Sequence, residues 1–376
     1  MTADASPVPR TWAIFAGGGT AGHLLPGLAV AHALVARGHD TDMIHFVGSD
    51  RGVEAKLVPV AGFTYDELPG RGIQRRLTPA NLTAVLGLVR GTLRGVGIVR
   101  RRRPGVVVVL GGHASFACGV GAVLVGAQLV LVEQNIKAGA VNRLLRRFAV
   151  ASAVSFEGTD LPRAEVTGNP LRSEIRAAAA APDRAKAREA LALPTDRQVV
   201  AVFSGSLGSR RINEAVAGLV ERWGDRSDLA VHHVVGGRDF AEYAAAAPRP
   251  PAGGLLYRYV DYEERMHLLL QAADVAVTRA GGTLAELAAL GLPAVLVPLP
   301  IATRDHQTAN ARAVTATGGA VLVPDDACTA DRLATELESL LADPERLATM
   351  AAGLGDLARP DAADRVADLV ERHARQ

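Results

Sequence analysis

Short apolar runs alternate with helix-like segments along almost the whole chain. The helix-like segments carry apolar residues at spacings of three and four, and the apolar runs between them have the length of buried strands. Apolar strands alternating with helices indicate parallel sheets covered on both faces, so the pattern predicts an α/β protein. The predicted strands of the first half are Trp12–Ala16, Met43–Val47, Val106–Leu110, Leu129–Val132 and Ala151–Phe156, and those of the second half are Gln198–Ser204, Ala230–Val235, Asp274–Thr278, Ala294–Pro298 and Gly319–Val323.

The strands fall into two similar groups separated by an alanine-rich, charged segment, Ile175–Leu193. This segment contains no strand pattern, which predicts two doubly wound domains at 10–173 and 174–357. A last helix, about 358–376, is expected to pack back on the first domain. Each group has a glycine turn after its first strand, and ligands of doubly wound sheets sit beyond the carboxyl ends of the strands. We therefore expect a substrate site in a cleft between the domains.

One stretch, Ala114–Val132, has about the length and apolar character of a membrane span. Glycines interrupt it at Gly119, Gly121 and Gly126, and its second half has a strand-like pattern. We expect a helix followed by a buried parallel strand instead.

Composition narrows the function classes. The 376 residues have a formal net charge of only +2, which argues against binding nucleic acid through bulk charge. Cys118 and Cys328 are isolated from each other and give neither a disulfide framework nor a metal-ligand spacing. Asp40-Thr41-Asp42 matches a metal-binding Asp-x-Asp pattern, but it precedes a strand, at the wrong edge of a sheet for ligands. We expect a solvated turn there, and no metal or cofactor.

The segment Arg279–Asn310 is the most specific candidate site. A strand feeds Gly281-Gly282 and Thr283, and a helix follows. A glycine turn that opens a helix presents backbone N–H groups and the positive end of the helix dipole, which suits a phosphate. Glu286, in the first turns of this helix, can accept hydrogen bonds from ribose hydroxyls. The alternative is an ordinary strand–helix–strand unit with a helix-buried glutamate.

The first glycine turn fits the pattern G-x-G-x-x-G at Gly17, Gly19 and Gly22. An NAD site also needs an acid at the end of the second strand, yet Asp50 comes only after Gly48-Ser49. An NAD-dependent oxidoreductase is therefore a weaker alternative. Thr20 and His23 lie in the turn itself and are expected to point into the cleft.

Several motifs, in the same order along the chain, resemble those of the MurG glycosyltransferases, which convert lipid I to lipid II in peptidoglycan synthesis. The resemblance covers nearly the whole chain. The motifs are GGTAGHLLPGLAVA after the first strand, LGGHAS (Leu110–Ser115), VEQN (Val132–Asn135), TGNPLR (Thr167–Arg172), FSGSLGSRRIN (Phe203–Asn213), RAGGTLAEL (Arg279–Leu287) and DHQTAN (Asp305–Asn310).

The resemblance implies a GT-B fold and transfer of N-acetylglucosamine from UDP-N-acetylglucosamine to lipid I with inversion and without a metal. The second domain would hold most of the donor. Glu286 would bind the ribose, Ser206 and the turn the diphosphate, Val260 the uracil through its backbone, and Gln307 the sugar hydroxyls. The turn residues concerned are Gly281, Gly282, Thr283 and Leu284, and the first domain would add Thr20, Ala21, Gly22, Asn135 and Arg172.

The acceptor side is less closely matched. The resemblance implies that His23 is the catalytic base or contacts the acceptor, with His113 and Glu133 on the same side. The family usually has Tyr at His113 and Gly-Pro at Phe116-Ala117, and the turn before Glu286 is one residue short. A paralogue that glycosylates another lipid or a natural product is thus an alternative, and so is a nucleotide-sugar sensor without turnover.

Basic residues cluster between Arg71 and Arg103, in a segment with apolar positions at helical spacing. Such a helix can lie on an anionic bilayer, although a core-facing helix with a solvated basic face has the same pattern. The resemblance implies peripheral attachment to the cytoplasmic face of the plasma membrane, because the acceptor is anchored there. It also implies contact with the cell-wall synthesis and division machinery as a possibility.

Overall fold

The computed structural model describes residues 11–18, 21–50, 53–69 and 80–375, without the side chains of Ala21 and residues 80–86. The chain divides into two compact units. The first holds the described residues up to Arg172 and those from Asp361 onward, and the second is Ser173–Pro360.

The first unit is built on a seven-stranded sheet. Its strands are β1 (Ala13–Gly17), β2 (Ile44–Ser49), β3 (Thr64–Leu68), β4 (Val106–Gly111), β5 (Gln128–Glu133), β6 (Ala151–Val154) and β7 (Ala164–Val166). They pair in the order β3-β2-β1-β4-β5-β6-β7. The helices of this part are α1 (Ala21–Ala36), α2 (Glu54–Val60), α3 (Ala80–Arg102), α4 (His113–Val125) and α5 (Ala140–Leu145).

The second unit is built on a six-stranded sheet. Its strands are β8 (Gln198–Phe203), β9 (Leu229–Val234), β10 (Leu256–Val260), β11 (Val275–Thr278), β12 (Ala294–Leu296) and β13 (Ala320–Leu322), in the order β10-β9-β8-β11-β12-β13. The helices are α6 (Ser173–Ala180), α7 (Arg184–Ala190), α8 (Arg210–Arg222), α9 (Phe240–Ala246), α10 (Met266–Ala272), α11 (Leu284–Leu290), α12 (His306–Ala316), α13 (Ala330–Leu341) and α14 (Pro344–Gly355).

Each strand pairing within the described residues is parallel, which confirms the predicted fold class. All ten predicted strands are present. Three strands were missed, and each is an edge strand: β3, β7 and β10. Their residues are largely exposed or half-buried, so they lack the continuous apolar run that predicts a central strand of a parallel sheet.

The ambiguous stretch Ala114–Val132 forms most of α4 and β5, as expected. The two elements are joined at Gly126, whose φ of 73° suits glycine, and Val130 and Leu131 are completely buried in the sheet. No helix in the described part of the chain is both long and apolar enough to cross a membrane.

The last helix, α15 (Ala362–His373), belongs to the first unit. Its face with Val366, Leu369 and Val370 is completely buried in the same apolar cluster as α1. An ion-pair cluster reinforces this contact, because Arg37 after α1 meets three carboxylates of α15. They are Asp364 at 3.7 Å, Asp368 at 2.5 Å and Glu371 at 2.8 Å.

Candidate functional site

In each unit the strand order reverses at one point, between β1 and β4 in the first and between β8 and β11 in the second. The connections that leave these neighbouring strands depart in opposite directions, which opens a crevice at the carboxyl edge of the sheet. The glycine turns predicted from the sequence lie at these two points.

In the second unit, Arg279 joins the turns that follow three neighbouring strands, β8, β11 and β12. It follows β11, and its guanidinium donates to the side chain of Ser209, which is the N-cap of α8, at 2.6 Å. It also donates to the Val297 and Pro298 carbonyls after β12 and to the Asp325 carboxylate at 2.6 Å. One half-buried side chain thus fixes the turns after β8, β11 and β12, a role that the sequence analysis did not assign.

The turn after β11 contains most of the predicted phosphate-binding residues. Gly281, Gly282 and Thr283 are half-buried and precede the seven-residue helix α11. The Leu284 N–H donates to the Gly281 carbonyl at 3.2 Å, so this amide is already used within the turn. The buried Asn310 donates to the Ala280 carbonyl at 3.1 Å and anchors the turn from α12.

Glu286 and Gln307 lie next to this turn on two different helices. Glu286 is half-buried in the first turn of α11. The side-chain oxygen of Gln307 accepts a hydrogen bond from the Leu299 N–H at 2.9 Å, which fixes the orientation of its amide. A Cβ added to Gly281 would lie 4.0 Å from Gln307 Nε2, so the donor end of the amide is directed toward the turn.

Ser206 and Val260 are joined through the turn after β9. The Gly237 N–H donates to the Ser206 carbonyl at 3.3 Å, and the Val235 N–H donates to the Val260 carbonyl at 2.9 Å. Gly208 allows this approach, because a Cβ there would lie 2.0 Å from the Val235 carbonyl oxygen. Ser206 is exposed and Val260 half-buried at the end of β10.

In the first unit, the turns after β1 and β4 touch each other. The Gly18 N–H donates to the Gly111 carbonyl at 3.2 Å, and a Cβ on Gly112 would lie 2.4 Å from the Gly18 oxygen. The His23 ring packs on Gly111, where a Cβ would lie 2.9 Å from its Nε2. His113 begins α4 beside this contact, and its buried Nε2 has no hydrogen-bond partner within the described residues.

Gly22 is exposed in the first turn of α1, which starts at Ala21. Thr20, the remaining predicted residue of this turn, lies outside the described residues. Arg71, Arg75 and Arg76 of the basic segment also lie outside them.

Glu133 organises the segment that carries Asn135. Its carboxylate is 5% exposed and accepts four hydrogen bonds, of 2.8–3.0 Å. Two come from the backbone and side chain of Asn135, one from the N–H of Gly139, which caps α5, and one from Asn142. Asn135 is thereby held at the carboxyl end of β5, and Arg172 lies beyond the carboxyl end of β7.

Asp40 and three histidines lie in other parts of the two sheets and their connections. Asp40 caps a short 3-10 turn before β2, away from the carboxyl edge, as expected. His232 and His233 are buried in β9, and burial lowers the pKa of His232 to about 4 and that of His233 to about 3. His306 begins α12 and contacts the Thr303 carbonyl at 2.9 Å.

The two units are Rossmann-like domains with glycine turns at the points where the strand order reverses, and the family models that match them are those of a glycosyltransferase. Residues 13–154 match the model of the glycosyltransferase family 28 N-terminal domain, and residues 199–366 match that of the family 28 C-terminal domain. The chain belongs to this family, and within it to the MurG transferases, as the following relatives show.

The chain is 37% identical over 372 residues to the UDP-N-acetylglucosamine–N-acetylmuramyl-(pentapeptide) pyrophosphoryl-undecaprenol N-acetylglucosamine transferase of Desulforudis audaxviator, covering 96% of this chain and 98% of that one. It is 40% identical to the transferase of the same name from Nocardioides sp., over 95% and 96% of the two chains. The crystal structure of Acinetobacter baumannii MurG matches with a TM-score of 0.73 and 26% identity, over 97% of this chain and 100% of that one. The oxidoreductase alternative is therefore set aside.

Proposed function

We propose that this chain transfers N-acetylglucosamine from UDP-N-acetylglucosamine to lipid I, forming lipid II. Its relatives over almost the full length carry that activity in their names. The residue assignments rest mainly on the contacts of Arg279, which hold the turns after β8, β11 and β12 in one arrangement. A preorganised site of this kind stabilises developing charge without reorganising during the reaction.

The donor diphosphate binds at Ser206 and at the turn Gly281–Thr283. Within the described residues, the N–H groups of Gly281 and Thr283 have no hydrogen-bond partner, which leaves them available to a ligand. They and the Ser206 hydroxyl would meet the negative charge that grows on UDP as it leaves. The N–H of Leu284 already donates to the Gly281 carbonyl, so Leu284 contributes less to diphosphate binding than Gly281, Thr283 and Ser206.

The ribose, the uracil and the sugar of the donor are assigned to residues that offer matching hydrogen-bond donors or acceptors. The Glu286 carboxylate accepts hydrogen bonds from the ribose hydroxyls, and the Val260 backbone meets uracil. Gln307 offers an N–H donor to the sugar, because Leu299 already occupies its oxygen. From the first unit, Thr20, Ala21, Gly22, Asn135 and Arg172 complete the donor contacts, and Glu133 positions Asn135 through its two hydrogen bonds to that residue.

His23 is our candidate for the base that removes the proton from the acceptor hydroxyl. It is held against Gly111 at the carboxyl edge, where the acceptor would bind. A positioned general base contributes about 10²–10⁴-fold to the rate. His113 lies on the acceptor side with it.

The acceptor is a membrane lipid, so we further propose peripheral attachment to the cytoplasmic face of the plasma membrane through α3. The outer face of this helix exposes Val89 and Leu93, at 51% and 68%, each followed directly by an exposed arginine, Arg90 and Arg94. Apolar side chains flanked by arginines fit an anionic bilayer surface.

The first experiment measures donor binding. Glu286→Ala should weaken the affinity for UDP-N-acetylglucosamine by about 1.5–3 kcal/mol, the loss of a charge-assisted hydrogen bond, as measured by calorimetry. Glu345→Ala is the matched control, since Glu345 occupies the first turn of α14 and is exposed. Equal affinity of the two variants would remove Glu286 from the site.

The second experiment measures turnover. Labelled UDP-N-acetylglucosamine and a lipid I analogue should yield labelled lipid II, and His23→Ala should depress the rate while donor affinity stays constant. Donor binding without product would favour the sensor, and product with another lipid alone would favour the paralogue.

A further inference from the structure

A cavity of about 840 Å³ lies at the amino-terminal edge of the first unit's sheet. It is formed where β1 and β4 begin and where α3 and α4 end, with the last described residue, Arg375, closing one side. The strands are parallel, so this edge is opposite the one with the turns after β1 and β4. The proposed donor and acceptor residues do not line it.

Three arginines, Arg100, Arg103 and Arg375, line this cavity, and none of its other described lining residues is acidic. Their neighbour Arg102 is paired with the Asp66 carboxylate at 3.5 Å. Within the described part of the chain, Arg100 and Arg103 have no such partner. Three like charges around one cavity repel each other, and an anion bound among them relieves that repulsion.

Arg375 is held in place by contacts of its own. Its backbone N–H donates to the Gly105 carbonyl at 3.3 Å, and a Cβ on Gly105 would lie 2.2 Å from the Arg375 oxygen. With its amide oxygen turned toward the guanidinium, Gln128 accepts from Arg375 Nε at 2.6 Å and from the NH2 nitrogen at 3.1 Å. The guanidinium of Arg375 is therefore positioned by contacts outside α3, whereas Arg100 and Arg103 lie at the end of that helix.

The dipole of α3 accounts for only part of this cluster. Cationic side chains are favourable in the last turn of a helix, which suffices for Arg100 and Arg102. It does not account for the convergence of Arg375. Arg103 has a φ of 45°, in the left-handed region, which is strained for a residue other than glycine.

We propose that this cavity is a second ligand site, which binds the phosphate or diphosphate group of an anionic ligand. Guanidinium groups match phosphate oxygens bidentately, and three of them suit a multiply charged anion better than a single carboxylate. Trp12, Val96 and Leu124 line the rest of the cavity, and Leu124 is 68% exposed at its rim. The cavity therefore also accepts an apolar portion. This inference does not rest on the proposed function.

Trp12 provides a local reporter of binding. The chain has two tryptophans, and the other, Trp223, is buried in the second unit. Trp12 stacks on His39 with ring centroids 4.0 Å apart, so a ligand in the cavity changes its surroundings. The probes are inorganic diphosphate, with saturating UDP present to occupy the donor site, and vesicles of phosphatidylglycerol or phosphatidylcholine. Calorimetry measures the diphosphate titration in parallel.

We expect saturable changes in fluorescence and heat. The affinity derived from them should be at least about ten-fold weaker in Arg100→Gln and in Arg375→Gln, which corresponds to ~1.4 kcal/mol. Arg101→Gln is the matched control, because Arg101 is exposed on the same helical turn but does not line the cavity. Trp12→Phe should abolish the fluorescence change and keep the heat.

A response to diphosphate supports a soluble ligand. A response only to phosphatidylglycerol vesicles, measured on the bound fraction and lost in Arg375→Gln, supports a lipid headgroup. No response to either probe, or equal loss in Arg101→Gln and Arg375→Gln, overturns the site.

Discussion

At the scale of single residues, Arg279 joins the turns after three neighbouring strands of the second unit, a role that its sequence motif did not indicate. It meets Ser209, Asp325 and two carbonyls through the fixed fork of its guanidinium. A lysine carries the same charge but presents a single point of attachment. The geometry of the turn therefore depends on the arginine and not only on its charge.

Arg279→Lys should weaken UDP binding about ten-fold, because the turns after β8 and β11 lose their common anchor. Calorimetry with UDP measures the change. Arg211→Lys is the control, since Arg211 is exposed on α8 two residues after Ser209. Unchanged affinity in Arg279→Lys would show that the turns hold their arrangement without the fork.

His232 predicts a pH dependence of stability. Burial lowers its pKa to about 4 in the folded state, below the ordinary value of 6.5, so the unfolded state binds more protons between these values. The stabilisation is complete above pH 6.5 and is lost as the pH falls toward 4. At pH 5.5, one unit below the ordinary value, the loss is about 1.4 kcal/mol.

Urea unfolding at pH 7.5 and 5.5 measures this loss. His232→Gln should reduce the difference in unfolding free energy between the two pH values by about 1.4 kcal/mol. Burial lowers the pKa of the neighbouring His233 to about 3, so His233 should account for a further part of the difference. If wild type and His232→Gln show the same difference in unfolding free energy between the two pH values, His232 is not the source of the pH dependence.

At the scale of elements, α3 is the helix through which we propose that the first unit contacts a membrane. Its inner face packs closely on α4, since a Cβ on Gly95 would lie 2.6 Å from the Ala117 side chain. Its outer face presents the exposed apolar and basic residues together. Each arginine near an anionic surface contributes roughly 1 kcal/mol.

Replacing Arg90 and Arg94 together by Gln should weaken binding to phosphatidylglycerol vesicles by about thirty-fold, as measured by co-sedimentation. Arg249 and Arg312 are exposed in the second unit, and their double replacement by Gln is the charge-matched control. An equal effect of both pairs would show that net charge, rather than α3, governs attachment.

At the scale of the whole molecule, the chain returns to its first unit after completing the second. Residues from Asp361 onward join the described residues up to Arg172. The buried face of α15 fills part of the core around α1, and Arg37 binds its acidic side. The stability of the first unit thus depends on the end of the chain.

Leu369→Ala should destabilise the first unit by about 2–5 kcal/mol through the cavity it leaves. Hydrogen exchange should accelerate in β1 and α1 but not in β8 and α8. Leu354→Ala, in the equally buried position of α14, should have the reverse effect. Faster exchange in both units after either substitution would indicate that they unfold together.

The sequence by itself determined the alternation of strands and helices and the glycine turns, because burial on both faces leaves a continuous apolar run and a turn with little space requires glycine. It placed ten strands, and the ordered motifs around Gly22, Glu133 and Glu286 indicated the family. The edge strands β3, β7 and β10 were not predicted, because a half-exposed strand has no continuous apolar run.

Only the tertiary structure decided which polar groups meet. Arg279 and Asp325 are 46 positions apart, and Arg375 reaches Gly105 across most of the chain. Such contacts depend on strand order and on the return of α15, which local periodicity does not specify. The elements are therefore encoded locally, whereas the contacts of Arg279 and the arginine-lined cavity arise from packing between distant segments.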